Sequence, residues 1–125
     1  MIFDTDVLIW VLRGSTKAAE AIDRSEQRAI SVITYMELLQ GARDKGEMKA
    51  IKAFLMDLQV RSLPLTENIG HRASIYMEEY ALASALSMPD ALIAATAIEA
   101  NRPLLTGNDE HYRAITELDL KRFRP

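Results

Sequence analysis

The first ten residues, Met1–Trp10 (MIFDTDVLIW), are apolar except for Asp4, Thr5 and Asp6. A short apolar run that closes on polar residues predicts a buried strand over Ile2–Asp6. Because alternate residues of a strand point to the same side, the two aspartates are expected to lie together near its end. Two buried carboxylates destabilise a fold unless a cation offsets their charge. The stretch therefore predicts a strand ending at a cation site, with helix capping by Asp6 as the alternative.

Predicted helices and strands alternate along the rest of the chain, which indicates an α/β fold with a parallel sheet covered on both faces. Further strands are predicted over Arg28–Ile33, Arg61–Leu65, Pro103–Thr106 and Leu118–Phe123. Helices are predicted over Val7–Arg13, from a cap at Ser15 or Thr16 to Arg24, and over Thr34–Ala42, Lys45–Leu58, Glu67–Leu86 and Asp90–Ala100. The last helix is apolar nearly all round, so we expect it in the middle of the protein.

Composition limits the classes of function. The 125 residues correspond to one domain, and the absence of cysteine excludes disulfides, cysteine nucleophiles, thiolate zinc sites and iron–sulfur clusters. The N-terminus does not have the pattern of a signal peptide, so a cytoplasmic protein is expected. A net charge of −3 is not the basic footprint of a nucleic-acid-binding protein. A bound divalent ion would invert the local sign if part of that charge gathers around it.

Other acidic residues follow strands or begin helices, and each has a structural alternative. Glu37 and Thr34 have the spacing of a capping box, Asp90 suits the first turn of a helix, and Asn108 and Asp109 suit a turn. Because these residues follow strands or lie at helix starts beyond them, they are nevertheless expected to line one ligand-binding crevice at the carboxyl ends of the strands. Carboxylate oxygens favour Mg²⁺ or Mn²⁺ over zinc. The two histidines, His71 and His111, match no metal-binding spacing and are interpreted as surface and turn residues.

Four segments together resemble the motifs of the PIN-domain family, in order and over essentially the whole chain. They are IFDTDVLI from Ile2, the stretch from Ser31 to Ala42, PDALIAATA from Pro89, and LLTGNDEHY from Leu104. Asp6 stands where the family more often has asparagine. The compact length and helical content resemble the VapC toxins of that family.

The resemblance implies a single PIN domain over residues 1–125, an α/β/α sandwich with sheet order 3-2-1-4-5. It implies endoribonuclease activity with one or two Mg²⁺ or Mn²⁺ ions, held by Asp4, Glu37 and Asp90. Catalytic Asp109, together with Asp6, Thr106 and Asn108, would support these ligands or form a weaker metal site. The implied partners are RNA, a VapB-type antitoxin and a second copy in a homodimer, or a hetero-tetramer or larger assembly. Candidate contacts to RNA phosphates, with solvated surface charge as the alternative, are Arg13, Lys17, Arg43 and Lys45.

Three other functions are compatible with parts of the pattern. Asp4-Thr-Asp resembles the nucleophile motif of haloacid-dehalogenase-like phosphatases, but no lysine lies between Arg72 and Arg113, where that family needs one. A phospho-receiver domain needs an acceptor aspartate at the end of the third strand, and Pro64-Leu-Thr offers none. A PIN-fold binding protein without activity stays open as a third alternative.

Overall fold

A central sheet of five parallel strands organises the protein, and the computed structural model describes all residues from Met1 to Pro125. The strands are β1 (Ile2–Phe3), β2 (Ala29–Ser31), β3 (Arg61–Leu63), β4 (Leu104–Thr106) and β5 (Leu120–Arg122). Their spatial order is β3-β2-β1-β4-β5, as predicted, with Ile2 of β1 in register with Ala29 of β2 and Leu104 of β4. The predicted fold class and strand order are confirmed.

Seven helices connect and cover the strands. They are α1 (Thr5–Leu12), α2 (Thr16–Asp23), α3 (Val32–Gln40), α4 (Lys45–Asp57), α5 (Glu67–Tyr80), α6 (Met88–Glu99) and α7 (Asp109–Tyr112). The apolar helix expected at the centre is α6, six of whose twelve residues are buried. None of the seven is both long and apolar enough to cross a lipid bilayer.

Two apolar cores lie on opposite faces of the sheet because successive strand residues point in opposite directions. Ile2, Ala29 and Leu104 belong to the core formed with α5, α6 and α7. The next residue of each strand (Phe3, Ile30, Leu105) belongs to the core formed with α1, α2, α3 and α4. The sheet is therefore buried on both faces, and the layers are those of the predicted sandwich.

The first strand is shorter than predicted, and this changes the role of Asp4. The strand ends at Phe3, and Asp4 is the N-cap of α1, accepting a hydrogen bond from Thr5 N at 2.8 Å. Asp6 lies in the first turn of that helix and does not cap it. The prediction that the two aspartates share one face of a strand was wrong. Aspartate is favoured at the N-cap, and Asp4 takes this position, so α1 begins immediately after β1.

Other boundaries move for similar reasons. Ser31 ends β2 and caps α3 through Ile33 N, so Thr34 and Glu37 both lie inside the helix and the predicted capping box between them was wrong. The helix predicted to run to Leu86 ends at Tyr80. The short helix α7 was not predicted, because four residues are too few to show a periodic pattern.

The carboxyl ends of β1 and β4 meet where the strand order reverses, which is the usual position of a ligand crevice in such sheets. Asp4 directly follows β1, Thr106 ends β4, and Ser31 ends the neighbouring β2. The sheet therefore brings the segments that carry the candidate acids to one edge.

Candidate active site

Asp4 is the most buried acidic side chain of the protein, with 5% of its surface exposed. Oδ1 accepts from Thr5 N, and Oδ2 accepts from Thr106 Oγ1 at 2.7 Å. Asn108 N in turn donates to Thr106 Oγ1 at 2.9 Å, which fixes that hydroxyl. Burial raises the pKa of Asp4 to about 6; the Thr106 hydrogen bond opposes this rise, and the nearby charge of Asp6 adds to it. Asp4 is thus held rigidly where its charge is poorly solvated.

Glu37 is joined to the same edge through Thr5. The Thr5 hydroxyl donates to Glu37 Oε1 at 2.7 Å and lies 2.9 Å from Thr34 Oγ1. Thr34 and Glu37 are three residues apart on α3, so both point to the face that meets the start of α1. One residue, Thr5, therefore contacts two of the predicted metal ligands: Asp4 by its backbone and Glu37 by its side chain.

Asp90 is held from two directions. Asp90 and Ser87 form a capping box at the start of α6: Ser87 N donates to Asp90 Oδ2 at 3.4 Å, and Asp90 N donates to Ser87 Oγ at 3.3 Å. From α7, the Tyr112 hydroxyl donates to Asp90 Oδ1 at 3.2 Å, and His111 Nδ1 lies 3.6 Å from Oδ2. Asp90 therefore caps its helix and also faces the site.

Asp6 binds the loop that follows β4. Gly107 N donates to Asp6 Oδ2 at 2.9 Å, whereas Asp6 Oδ1 is the one buried side-chain oxygen or nitrogen in the protein without a hydrogen-bond partner. Burial raises the pKa of Asp6. A Cβ atom at position 107 would lie 2.5 Å from Asp6 Oδ2, so only glycine lets the loop approach this closely. An unpartnered buried carboxylate oxygen is a position at which a cation or a proton would lower the free energy.

Asp109 lies near the loop but contacts basic residues. Its Oδ1 accepts from Arg124 Nη2 at 3.0 Å, and its Oδ2 accepts from Arg113 Nη2 at 3.3 Å. The Arg124 hydrogen bond is the main cause of a lowered Asp109 pKa. Asn108 is exposed and precedes α7 without a capping hydrogen bond from its side chain. Asp109 is therefore neutralised by two arginines and Asn108 faces solvent, whereas Thr106 contacts Asp4 directly.

The oxygen donors of this site suit a hard divalent cation. Asp4, Asp6 and Glu37 each lack a lysine, arginine or histidine partner within 4.0 Å. The donor chemistry therefore fits, and the orphaned oxygen of Asp6 supports it. As the side chains stand, no group of three acidic or histidine side chains is close enough to hold one ion. The acids are instead held by neighbouring residues: Thr5 joins Asp4 to Glu37 through its backbone N–H and its hydroxyl, and the Tyr112 hydroxyl contacts Asp90.

Comparison with known proteins agrees with this geometry. The sequence profile of the PIN domain matches residues 1–118. The chain belongs to the PIN-domain family. This PIN domain is 34% identical to Ribonuclease VapC19 of Mycobacterium tuberculosis over 122 residues, 94% of this chain and 95% of that protein. It is 35% identical to Ribonuclease VapC of Rickettsia bellii over 128 residues, 96% of this chain and 93% of that protein.

Solved structures share the fold of this PIN domain. A toxin–antitoxin complex from Klebsiella pneumoniae contains a chain that is 30% identical, with a TM-score of 0.79 and coverage of 94% of this chain and 93% of that one. A chain of VapBC-1 from Haemophilus influenzae superimposes with a TM-score of 0.82 at 23% identity, covering 98% of both chains. The second likeness supports the fold only. The predicted family is confirmed.

The basic residues predicted to contact RNA are all exposed in this PIN domain. Arg13 lies 5.9 Å from the ring centre of Trp10 and lines a groove that Glu37 also lines. Arg43 forms an ion pair with Glu47 at 2.9 Å. Lys17 and Lys45 form no ion pair. Thus Arg13 lines a groove together with one of the candidate acids.

Sequence reasoning missed three residues of the site: Thr5, His111 and Tyr112. Thr5 lies between two aspartates in the sequence and was assigned no role, although a hydroxyl beside a buried carboxylate indicates a hydrogen-bonded cluster. Tyr112 is the last residue of the fourth motif, and the motif alone gives its hydroxyl no role. His111 was interpreted as a turn residue because its partner, Asp90, comes from a different helix.

Proposed function

We propose that this PIN domain is a divalent-metal-dependent endoribonuclease, and that it is the toxin of a type II VapBC toxin–antitoxin pair. One observation carries the proposal: a buried Asp4 without a basic partner is connected through Thr5 to Glu37, and Asp90 is held by the Tyr112 hydroxyl at the same edge of the sheet. The two relatives described above are VapC ribonucleases, which supports the same activity.

We assign the binding of Mg²⁺ or Mn²⁺, as one or two ions, to Asp4, Glu37 and Asp90. A bound ion of this kind supplies a more acidic water and stabilises charge on phosphate oxygens. The chain's own residues prepare the ligands. Thr106 and the backbone of Thr5 orient the two oxygens of Asp4. The Thr5 hydroxyl orients Glu37, and the capping box at the start of α6 orients Asp90.

The remaining acidic and polar residues support this centre. Asp6 places an unpartnered oxygen beside Asp4 and fixes the loop at Gly107, which suits a weaker metal site. For the fourth catalytic position, Asp109 supplies a carboxylate and Asn108 an amide. The ion pairs of Asp109 with two arginines favour a role at the rim over a role among the principal ligands.

RNA phosphates are expected to meet basic side chains around this centre, because phosphate contacts position a nucleic acid on a protein. We assign these contacts to Arg13, Lys17, Arg43 and Lys45. The position of Arg13 in the groove shared with Glu37 supports its assignment most directly. The ion pair of Arg43 with Glu47 has to open for Arg43 to bind a phosphate.

The proposed protein partner is a VapB-type antitoxin that closes the site, with a second copy of this chain completing a homodimer or a larger assembly. A groove of about 470 Å³ is lined by apolar residues of α1, α3 and α4 and by the charged side chains of Arg13, Glu37 and Glu47; Leu12 on its wall is 47% exposed. An apolar segment of the antitoxin suits such a surface.

Replacing Leu12 with glutamate is expected to weaken antitoxin binding by at least about tenfold, because a charge would replace an exposed apolar contact on the wall of the groove. The measurement is the affinity for the antitoxin, which is expected to be encoded by the gene next to this one. The matched control changes Leu82, an exposed residue on the turn after α5, to glutamate. Equal affinities for the two variants would contradict the assignment of this groove.

The nuclease proposal is tested by incubating total RNA with the purified protein in Mg²⁺, in Mn²⁺ or in chelator. We expect internal cleavage that leaves 5′-phosphate and 3′-hydroxyl ends, that stops in chelator and that returns when metal is restored. Asp90→Ala, purified in parallel, controls for contaminating ribonuclease and is expected to be inactive. Cleavage that persists in chelator, or in the Asp90→Ala sample, would contradict the proposal. An intact RNA profile under all conditions would favour a binding protein without activity.

A further inference from the structure

Tyr112 is fully buried and presents its hydroxyl to the acidic cluster. The hydroxyl donates to Asp90 Oδ1 at 3.2 Å. Burial raises the pKa of Tyr112, and the charges of Asp4 and Asp90 raise it further, so Asp4 also lies near this hydroxyl. Tyr112 thus contacts Asp90 and lies near Asp4, two acids that are far apart in the sequence.

The ring of Tyr112 is fixed by packing. It belongs to the core that α6 forms with the strand residues Ile2 and Leu104. A buried hydroxyl costs free energy unless it forms a hydrogen bond, and a phenylalanine would fill nearly the same volume without that cost. The hydroxyl therefore contributes a polar contact at a position where packing needs only the ring.

Asp4 and Asp90 differ in how many hydrogen-bond donors hold their carboxylate oxygens. Asp4 accepts from Thr5 N and from Thr106 Oγ1. Asp90 Oδ2 is used in the capping box with Ser87, which leaves Tyr112 as the hydroxyl that contacts Oδ1. A phenol has one proton to donate. Its removal should therefore free Asp90 more than Asp4.

We infer that Tyr112 is a positioning residue of the nuclease: its hydroxyl holds the Asp90 carboxylate beside Asp4, in the arrangement from which both bind the divalent ion. This inference rests on the proposed function. Its physical basis is that hydrogen-bond partners of metal-binding carboxylates orient them, and that loss of such a partner typically weakens metal binding by about 10- to 100-fold.

Tyr76 provides a matched control. It is also a buried tyrosine of the same core, and its hydroxyl also contacts a carboxylate, that of Glu117. Glu117 lies after α7, at a different place from the acidic cluster, and forms an ion pair with Arg72. Tyr76→Phe and Tyr112→Phe therefore remove the same kind of hydrogen bond, but only the second removes it from the site.

The test is calorimetric titration of both variants and the unchanged protein with Mn²⁺. We expect Tyr112→Phe to raise the Mn²⁺ dissociation constant by about tenfold or more, and Tyr76→Phe to leave it unchanged. RNA cleavage by Tyr112→Phe should be lost at low Mn²⁺ and should recover in excess Mn²⁺. Equal Mn²⁺ affinities of the three proteins, or a uniform loss of cleavage at every Mn²⁺ concentration, would overturn the inference.

A measurement on the unchanged protein keeps the inference falsifiable even if Tyr112→Phe does not fold. The chain has four tyrosines, so ring resonances of ¹³C-labelled protein can be assigned by changing Tyr35, Tyr76 and Tyr80 in turn. Saturation with Mg²⁺ should shift the Tyr112 Cζ resonance and leave that of Tyr76 in place. A Tyr112 resonance that does not move would contradict the inference.

The outcomes separate the two proposals. If the unchanged protein binds no Mn²⁺ and cuts no RNA, the proposed nuclease function fails and the role of Tyr112 fails with it. If the unchanged protein binds Mn²⁺ and cuts RNA, while Tyr112→Phe binds the ion equally well, only the role of Tyr112 is overturned.

Discussion

Asp4→Asn is expected to reduce RNA cleavage by at least about a thousandfold, because the interactions of a catalytic metal with phosphate are worth several kcal/mol and each 1.4 kcal/mol is about a factor of ten in rate. Asparagine has nearly the same shape as aspartate, and its carbonyl can still accept from Thr5 N. The change therefore removes the charge from the centre of the site while leaving the N-cap of α1 in place.

The measurement is the cleavage rate in saturating Mn²⁺, with circular dichroism to check the fold. Asp57→Asn is a suitable control, because Asp57 is an exposed acid at the end of α4. The control should cleave at the unchanged rate. Cleavage by Asp4→Asn at more than a tenth of that rate would show that Asp4 does not bind the ion.

The second large effect is a fall in the free energy of unfolding as the pH rises, in the presence of chelator. The pKa of Asp4 is about 6 in the folded protein and 3.8 when unfolded, so the folded state binds the proton more tightly. The stabilisation from this group is complete below about pH 3.8 and is lost as the pH rises through 6. The difference corresponds to about 3 kcal/mol at most. The raised pKa of Asp6 acts in the same direction.

Urea unfolding in chelator, at several values between pH 4 and pH 7.5, measures this effect. The lowered pKa of Asp109 acts in the opposite direction, so the informative quantity is the difference between the unchanged protein and Asp4→Asn. We expect the unchanged protein to lose stability relative to the variant as the pH rises, and to regain it when Mn²⁺ replaces the chelator. Parallel curves for the two proteins in chelator would rule out a buried, uncompensated Asp4.

Much of the fold could be predicted from the sequence because helices and strands produce patterns within short segments. The alternation of apolar runs with periodic segments predicted the helices and strands, and the motifs led to the strand order through a family resemblance. The all-round apolar pattern of α6 predicted its burial, since a helix with no polar face has none to turn to water. Boundaries were less predictable, because Asp4 and Ser31 cap helices that begin two residues earlier than the apolar pattern suggested.

The chemistry of the site was predicted only as a set of residue types. Asp4, Glu37 and Asp90 were selected from motifs, and the structure places them around one edge of the sheet, where Thr5 connects Asp4 to Glu37 and Tyr112 contacts Asp90. The connection itself could not be predicted. Thr5 and Glu37 are separated by 32 residues, and Tyr112 and Asp90 belong to different helices.

By itself, the sequence determined the layers of the sandwich and the acidic character of the site, because apolar periodicity and residue chemistry are properties of short segments. Only the tertiary structure decided which hydroxyl meets which carboxylate, and that both oxygens of Asp109 pair with arginines. Hydrogen bonds and charge effects depend on distances of a few ångströms. For residues far apart in the chain, those distances are set by how the helices pack on the sheet.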